Sequence, residues 1–452
     1  MTMSTIRGMH GILASSVGVT CAAALTLPLA LSAPAQARPQ AARTEPAAPG
    51  RTQSLPLVPL SGDRSLGPAA PEQGLGRRSV RTFSLVGVVW DDPDTELRGR
   101  VQVRTRATGA NRWSGWQDIE THNHEHAADP DSAEGSSGRV RGSTAPLWVG
   151  DSDGVEVRVQ AQVDERATAA GESPLPRGMH LELVDPGAEP APRGALTGDG
   201  SAGAESAETY ATFATNAALA PFGATEIPAL SRAETEREAP ALRDGAPLVK
   251  PYIGERPRIV TRRGWGADES LREGGFVYTK KVKAAFVHHT ASGNNYLCSQ
   301  APSLIRSIYR YHVVSSGWRD IGYNFLVDKC GNIYEGRAGG VAKPVMGAHT
   351  LGFNNDTMGI AVLGSFGKTK PAAAAVTAIA RLTAWKLGLS GADPRGKTYL
   401  KSGGGNLYRK GKNVRLNVIS GHRDGFATEC PGRLLYGKLG SARTAAARYQ
   451  GR

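Results

Sequence analysis

The feature that most constrains this chain is an interruption. Two stretches with regular apolar patterning, 80–190 and 251–452, are separated by residues 191–250, where Ala, Gly, Glu and Ser dominate. That composition reads as a low-complexity linker, with a helical stretch around Ala207 to Leu219. At 452 residues the chain also exceeds what one core usually organises, so more than one domain is expected. A further stretch rich in Ala, Pro, Gly and Arg, 38–79, reads as a disordered linker.

Ahead of it, Arg7, a mostly apolar run from Ile12 to Leu31 and Ala35-Gln36-Ala37 match a signal peptide spanning 1–37. Ser15, Ser16, Thr20 and Thr26 dilute the run, which argues against a permanent anchor, and no later segment is apolar enough to span a bilayer. Export implies an oxidising compartment. Cleavage removes Cys21 and leaves Cys298, Cys330 and Cys430, an odd number where thiols usually pair, so one needs another role.

From Val80 to Gly187 the apolar residues alternate: Val86, Val88 and Trp90, then Val101 and Val103, then Val155, Val157 and Val159, then Leu181 and Leu183. Period-two runs between Gly, Asp and Asn turns predict an all-β, sandwich-like domain. Trp113, Trp116 and Trp148 are read as filling its core rather than forming a sugar-stacking face. The stretch His122-Asn123-His124-Glu125-His126 lies in an acidic, strand-poor insertion and is read as a solvated loop rather than a metal site.

Residues 251–452 mix both periods. Strands are expected at Ala284 to Val287, Tyr323 to Val327, Ile333 to Glu335, Gly359 to Leu363 and Val414 to Ser420. Leu304, Ile305, Ile308 and Tyr311 repeat at helical spacing, as do Val376, Ile379, Ala380, Thr383 and Leu387. The implied architecture is α/β, a mixed central sheet flanked by helices. Charge is unequal: Lys250 to Arg452 carries 32 Lys and Arg against 11 Asp and Glu, net +21, and the first 249 residues carry 22 against 30, net −8. A basic half suits an anionic polymer. Outside the cell, wall polymer is a better candidate than nucleic acid, for which no interleaved aromatic motif is present.

Three residues carry the chemistry. His288 closes an apolar strand, and His422 and Cys430 lie eight apart just beyond another. Imidazole and thiolate at strand ends suit zinc, and three protein ligands leave a position open for water or substrate. Spacing alone leaves open that Cys430 pairs with another cysteine and that the histidines are ordinary packed residues.

Seven segments in order resemble the peptidoglycan recognition proteins and the zinc amidases related to T7 lysozyme. They are Arg262-Arg263-Gly264-Trp265-Gly266-Ala267, Phe286-Val287-His288-His289-Thr290, Gly317 to Phe325, Tyr334-Glu335-Gly336-Arg337, Gly347-Ala348-His349-Thr350, Gly352-Phe353-Asn354 and the segment from His422 to Cys430. The resemblance runs from Arg258 to Tyr436. It implies a zinc ion held by His288 rather than His289, with His422 and Cys430, and a catalytic hydroxyl on Tyr323. Bacteriophage members carry a lysine at the position where this chain, like the animal members that retain activity, has Thr428, and Thr428 is expected to assist Tyr323 at the oxyanion. His312, Trp318, Arg337, His349 and Asn354 are implied to line the substrate cleft, although His312 suits a packed histidine equally well.

The implied reaction is hydrolysis of the amide between N-acetylmuramic acid and L-alanine in peptidoglycan. Zinc would polarise the carbonyl and lower the pKa of its water toward about 7. With Cys430 on the metal, Cys298 and Cys330 remain to form a disulfide. The alternative is a non-catalytic peptidoglycan-binding protein, but such members usually lack the cysteine ligand. The expected partners are peptidoglycan and anionic wall polymers, without nucleic acid or stable membrane insertion after signal cleavage, and the protein is expected to be a wall-associated monomer. The β domain is read either as a wall-binding unit that concentrates the enzyme or as a spacer.

Overall fold

The computed structural model describes residues 49–60, 72–162, 175–189, 206–242 and 252–452. The expected signal segment, 1–37, lies outside the described residues.

The first domain is all-β. Its strands are β1 (Arg51–Pro56), β2 (Val58–Pro59), β3 (Glu72–Trp90), β4 (Gly99–Ala107), β5 (Gln117–Ile119), β6 (Gly142–Ser143), β7 (Leu147–Ala161) and β8 (His180–Asp185). They pair antiparallel in the order β1-β8-β3-β7-β4-β5, with β2 and β6 also on β3. The N-terminal linker expectation therefore fails for its described parts. Residues 51–56 form β1 because Leu55 faces Leu181 across the ladder, and β3 begins at Glu72 rather than Val80.

The end of β3 is buried on both faces. Val86, Val88 and Trp90 point into the β domain's own core with Val101, Val157 and Leu183. Leu85 and Val89, on the opposite face, join Trp148 and Val184 in a cluster with Trp265, Leu304, Ile308, Tyr311 and Tyr323 of the second domain. Gly87 lies between them, and a Cβ there would sit 2.3 Å from the Tyr311 hydroxyl, which donates to Thr144 O at 3.1 Å. Glycine is required by this close approach.

The tryptophan expectation is met only in part. Trp148 is buried, at the domain boundary. Trp113 and Trp116 are half-exposed on the sheet's outer face, where Arg77 and Arg106 lie over the first ring and Arg104 and Arg158 over the second. Guanidinium stacking keeps these rings at the surface.

The second domain holds β9 (Glu226–Ile227), β10 (Ile259–Val260), β11 (Ala284–His289), β12 (Phe325–Val327), β13 (Ile333–Glu335), β14 (Thr357–Val362) and β17 (Ile419–Gly421) in one sheet, order β17-β11-β14-β12-β13-β10-β9. Between β14 and β17 in sequence, β15 (Lys397–Lys401) and β16 (Asn413–Asn417) form a separate ribbon. Pairing is parallel except at β12–β13 and β9–β10, so the sheet is mixed as expected.

Its longer helices are α1 (Ala207–Thr215), α2 (Arg232–Glu238), α3 (Ala301–Arg310), α4 (Ala373–Leu389) and α5 (Leu439–Gln450). Ile379, Leu382 and Trp385 of α4 and Ala442 and Ala446 of α5 cover one sheet face, meeting Val287, Phe325 and Ile360. Leu304, Ile305 and Ile308 of α3 cover the other, meeting Leu326 and Ala361, with the β domain packed beyond.

The expected linker 191–250 is corrected over its described part. Ser231 caps α2 with a capping box, β9 extends the sheet, and Ile227 is fully buried. Asn216, just after α1, donates to both oxygens of Glu335 at 2.9 and 3.0 Å. Low average hydropathy hid these few anchoring residues. The described residues consequently form one compact unit rather than two tethered ones. Among the described residues no helix is long and apolar enough to cross a membrane.

Candidate metal centre and cleft

Strand parity explains why adjacent histidines in β11 differ. Val287 faces the α4 side, so His289 does too, where its Nδ1 accepts from the Phe366 amide at 3.4 Å. His288 faces the other way, fully buried. Its Nε2 lies 3.2 Å from His349 Nδ1, which leaves Nδ1 directed toward Cys430, 3.8 Å from the sulfur. His422 follows β17, β11's parallel neighbour, so both strands deliver a ligand to the same end of the sheet.

A fourth donor is present. The potential ligand atoms of His126, His288, His422 and Cys430 all lie within 4.8 Å of one another, and all four side chains are buried. His126 Nε2 is 3.2 Å from His422 Nδ1. This corrects the reading of residues 122–126 as a solvated loop: the loop leaves the β domain after β5 and enters the second domain's site. Zinc bonds of about 2.0–2.1 Å to nitrogen and about 2.3 Å to sulfur set neighbouring tetrahedral donors about 3.3–3.6 Å apart, close to the 3.2 Å between His126 and His422 and the 3.8 Å between His288 and Cys430, with the whole set within 4.8 Å.

Burial, then the neighbouring imidazoles, pushes the pKa of His126, His288 and His422 well below the ordinary value, so all three are neutral and ligand-competent. Burial pushes the Cys430 thiol well up, and only a cation in the cluster would favour its thiolate. His126 Nδ1 and His422 Nε2 are buried without a hydrogen-bond partner among the described residues, which carries a desolvation cost at each of those atoms. The donor set fits zinc.

Tyr323 lies beside the cluster, its ring centroid 5.6 Å from that of His288. Burial, with Cys430 and Glu125 adding to it, holds the phenol pKa well above ordinary, so the hydroxyl stays a donor. Thr428 donates to Glu125 Oε1 at 2.7 Å and accepts from the Cys430 amide at 3.0 Å. Cys298 and Cys330 are disulfide-bonded and Cys430 is free.

The five residues expected to line the cleft divide. His349 is fully buried behind His288, bonded through Nδ1 to Thr350 Oγ1 at 3.0 Å, so it packs against the His288 ring and touches no cleft surface. His312 is the packed histidine: its Nδ1 accepts from the Gly322 amide at 3.2 Å, its ring lies 4.3 Å from Trp318, and burial with Arg337 nearby lowers its pKa to about 3. Trp318 is itself 6% exposed and donates its amide to His312 O.

Arg337 and Asn354 do meet a partner in the cleft, and it is the β-domain insertion. Arg337 holds both oxygens of Glu134 at 2.7 and 3.0 Å; burial opposes its charge, and Glu134 outweighs burial. Asn354 Nδ2 donates to Asp129 Oδ1 and to Ala127 O, each at 2.8 Å. The Leu351 amide donates to Glu125 O at 2.9 Å and the Gly352 amide to Asp129 Oδ1 at 2.7 Å.

Beneath the cleft Arg262 joins the motif segments: its guanidinium binds Glu269, Asp320 Oδ1 at 3.1 Å and Gly336 O at 2.6 Å. Sequence reasoning missed His126, Glu125, Asp129 and Glu134. A signal was present: residues 117–135 contain six Asp or Glu and no Lys or Arg, in a chain whose other half is strongly basic.

Residues 278–433 match the family model described as N-acetylmuramoyl-L-alanine amidase, and residues 34–178 match one described as Rv3811 N-terminal galactose-binding domain-like. Peptidoglycan-recognition protein SC2 of Drosophila simulans is 33% identical over 183 residues, 40% of this chain and 84% of the relative. Human peptidoglycan recognition protein 3 is 34% identical over 122 residues, 27% of this chain and 34% of that protein. Among solved structures, peptidoglycan recognition protein-LE in complex with tracheal cytotoxin is 33% identical and covers 40% of this chain and 92% of its own, with a TM-score of 0.31.

Proposed function

The chain belongs to the peptidoglycan recognition protein and amidase family, and from that premise we propose that it is a secreted, zinc-dependent N-acetylmuramoyl-L-alanine amidase acting on the bacterial wall. The observation that carries the reading is the convergence of His288, His422 and Cys430, from two parallel strands and the loop that follows, on one point beside the Tyr323 phenol. A protein that only binds wall fragments has no need of a buried thiol among imidazoles.

In this reading His288, His422 and Cys430 hold zinc. Bound there, the ion supplies a Lewis acid that polarises the scissile carbonyl and acidifies a water toward a pKa of about 7. Tyr323 donates its protonated hydroxyl to the carbonyl oxygen as negative charge develops, the task for which burial keeps its proton in place. Thr428 offers a second donor once Glu125 no longer occupies it. His349 fixes the orientation of His288 through its ring nitrogen. Arg337 provides a bidentate site for a carboxylate of the stem peptide, and Asn354 an amide for its backbone. Catalysis is assigned to residues 251–452, and the basic charge there favours an anionic wall.

The test uses the full chain carrying His126→Ala and Glu134→Ala, incubated with peptidoglycan with and without chelator. New L-alanine amino termini that appear only with metal support the amidase. Reducing sugar ends would indicate a glycosidase, and binding without new termini would indicate a recognition protein.

A further inference from the structure

We infer that residues 120–141 of the β domain are an intramolecular inhibitor of the neighbouring cleft, with His126 as the fourth protein ligand of the metal and Glu125, Asp129 and Glu134 in the places of substrate groups. The inference rests on the proposed metal-amidase reading for what is inhibited.

Four separate contacts carry it. His126 Nε2 lies 3.2 Å from His422 Nδ1, within one ligand set with His288 and Cys430, so it fills the position a catalytic site would keep open. Glu134 places a carboxylate on Arg337 in two-pronged geometry, the chemistry by which a peptide carboxylate would bind there. Asp129 and Ala127 take both hydrogens of the Asn354 amide. Glu125 accepts the Thr428 hydroxyl, withdrawing it from any developing oxyanion.

Packing alone does not account for this choice of residues. A segment that only filled space would carry apolar side chains; this one buries the His126 imidazole, whose Nε2 meets His422, along with the carboxylates of Glu125 and Glu134. Burying polar groups is unfavourable unless each meets a specific partner, and the partners here are metal-site and cleft residues. The insertion is held at its far end by the docked β domain, where the Arg141 amide donates to Ser316 O at 3.0 Å and Ser315 Oγ donates to Glu182 at 2.9 Å. The β domain is thus the frame that presents the inhibitor.

The test loads the full-length protein with Co2+ and follows its visible absorption as azide is added. The wild-type spectrum is expected to be that of a four-donor tetrahedral site and indifferent to azide, because no position exchanges. His126→Ala is expected to gain an azide-dependent shift and to bind metal about 10-fold more weakly. A wild-type spectrum that responds to azide as fully as the variant's would overturn the inference.

In a second arm, a soluble N-acetylmuramoyl peptide is titrated by calorimetry into the wild type and into Asp129→Ala/Glu134→Ala, whose circular dichroism is compared first. At least a 10-fold gain in affinity is expected, and equal affinities would sink the proposal independently of the metal. Gained azide response and gained binding without any amide cleavage would retain the closure and reject the amidase reading.

Discussion

Arg337 and Glu134, 203 positions apart, form a two-pronged ion pair at 2.7 and 3.0 Å across the boundary between the domains, each side chain 5% exposed. Removing one partner of such a pair leaves a buried charge and typically costs about 3–5 kcal/mol. Glu134→Ala is therefore expected to lower stability in chemical denaturation by about 3 kcal/mol if the insertion stays seated. A loss below about 1 kcal/mol with faster amide exchange over 120–141 would show that the insertion lifts and water solvates Arg337 instead.

His349 and Cys430 separate support from ligation. Loss of a residue that orients a metal-bound histidine typically weakens affinity 10–100-fold. In chelator competition His349→Ala is expected to fall in that range, and Cys430→Ala, which removes a donor, to lose more. Equal losses would place His349 in the ligand set rather than behind it.

Tyr323→Phe removes only a hydroxyl from a buried ring. In the His126→Ala/Glu134→Ala background, turnover is expected to fall about 100- to 1,000-fold with metal content unchanged. Unaltered turnover would reject the oxyanion role.

Burial raises the Glu335 carboxyl to about 7, with Asn216 and Arg262 opposing the shift. The folded state therefore holds a proton there that the unfolded chain releases near its ordinary value of 4.5. This contribution is fully favourable below about 4.5 and is lost as pH rises toward 7. Glu335→Gln, which keeps the shape without the titration, is expected to flatten that part of the stability–pH profile, measured as denaturation midpoints from pH 4.5 to 7.5. A profile identical to the wild type would show that Glu335 is ionised throughout.

The Cys298–Cys330 bridge spans 32 positions. Constraining a loop of that length in the unfolded chain is worth about 3–4 kcal/mol. Cys298→Ser/Cys330→Ser is expected to lower stability by roughly that amount with metal affinity changed little, because the bridge lies outside the ligand cluster.

The His288, His422 and Cys430 part of the donor cluster is legible in the sequence because its signals are local. His288 ends an apolar strand and His422 follows another, while the choice of His288 over His289 comes from the family resemblance rather than from spacing. The helices α3 and α4 were readable for the same reason, through spacing that repeats within one segment. What was not readable depends on contact between distant segments: His126 and His422 are 296 positions apart, and neither sequence neighbourhood implies the other. Strand β3 shows the same limit. Its last eight residues are all buried, because Leu85 and Val89 face a domain that alternation alone cannot reveal. Residues 206–242 read as linker because a few anchors, Asn216 and Ile227 among them, do not raise average hydropathy.

The four-donor cluster also bears on how the molecule is held together. Three of its donors belong to one domain and His126 to the other, so a bound ion would rivet the two, and metal affinity would add directly to the free energy of their docking. A chain with such a rivet would carry its metal in a site with no exchangeable position, protected from competing chelators. On the proposed amidase reading, opening the cleft would loosen the ion's hold as it exposes the chemistry, so that activity would be greatest in the state from which the metal is most readily lost.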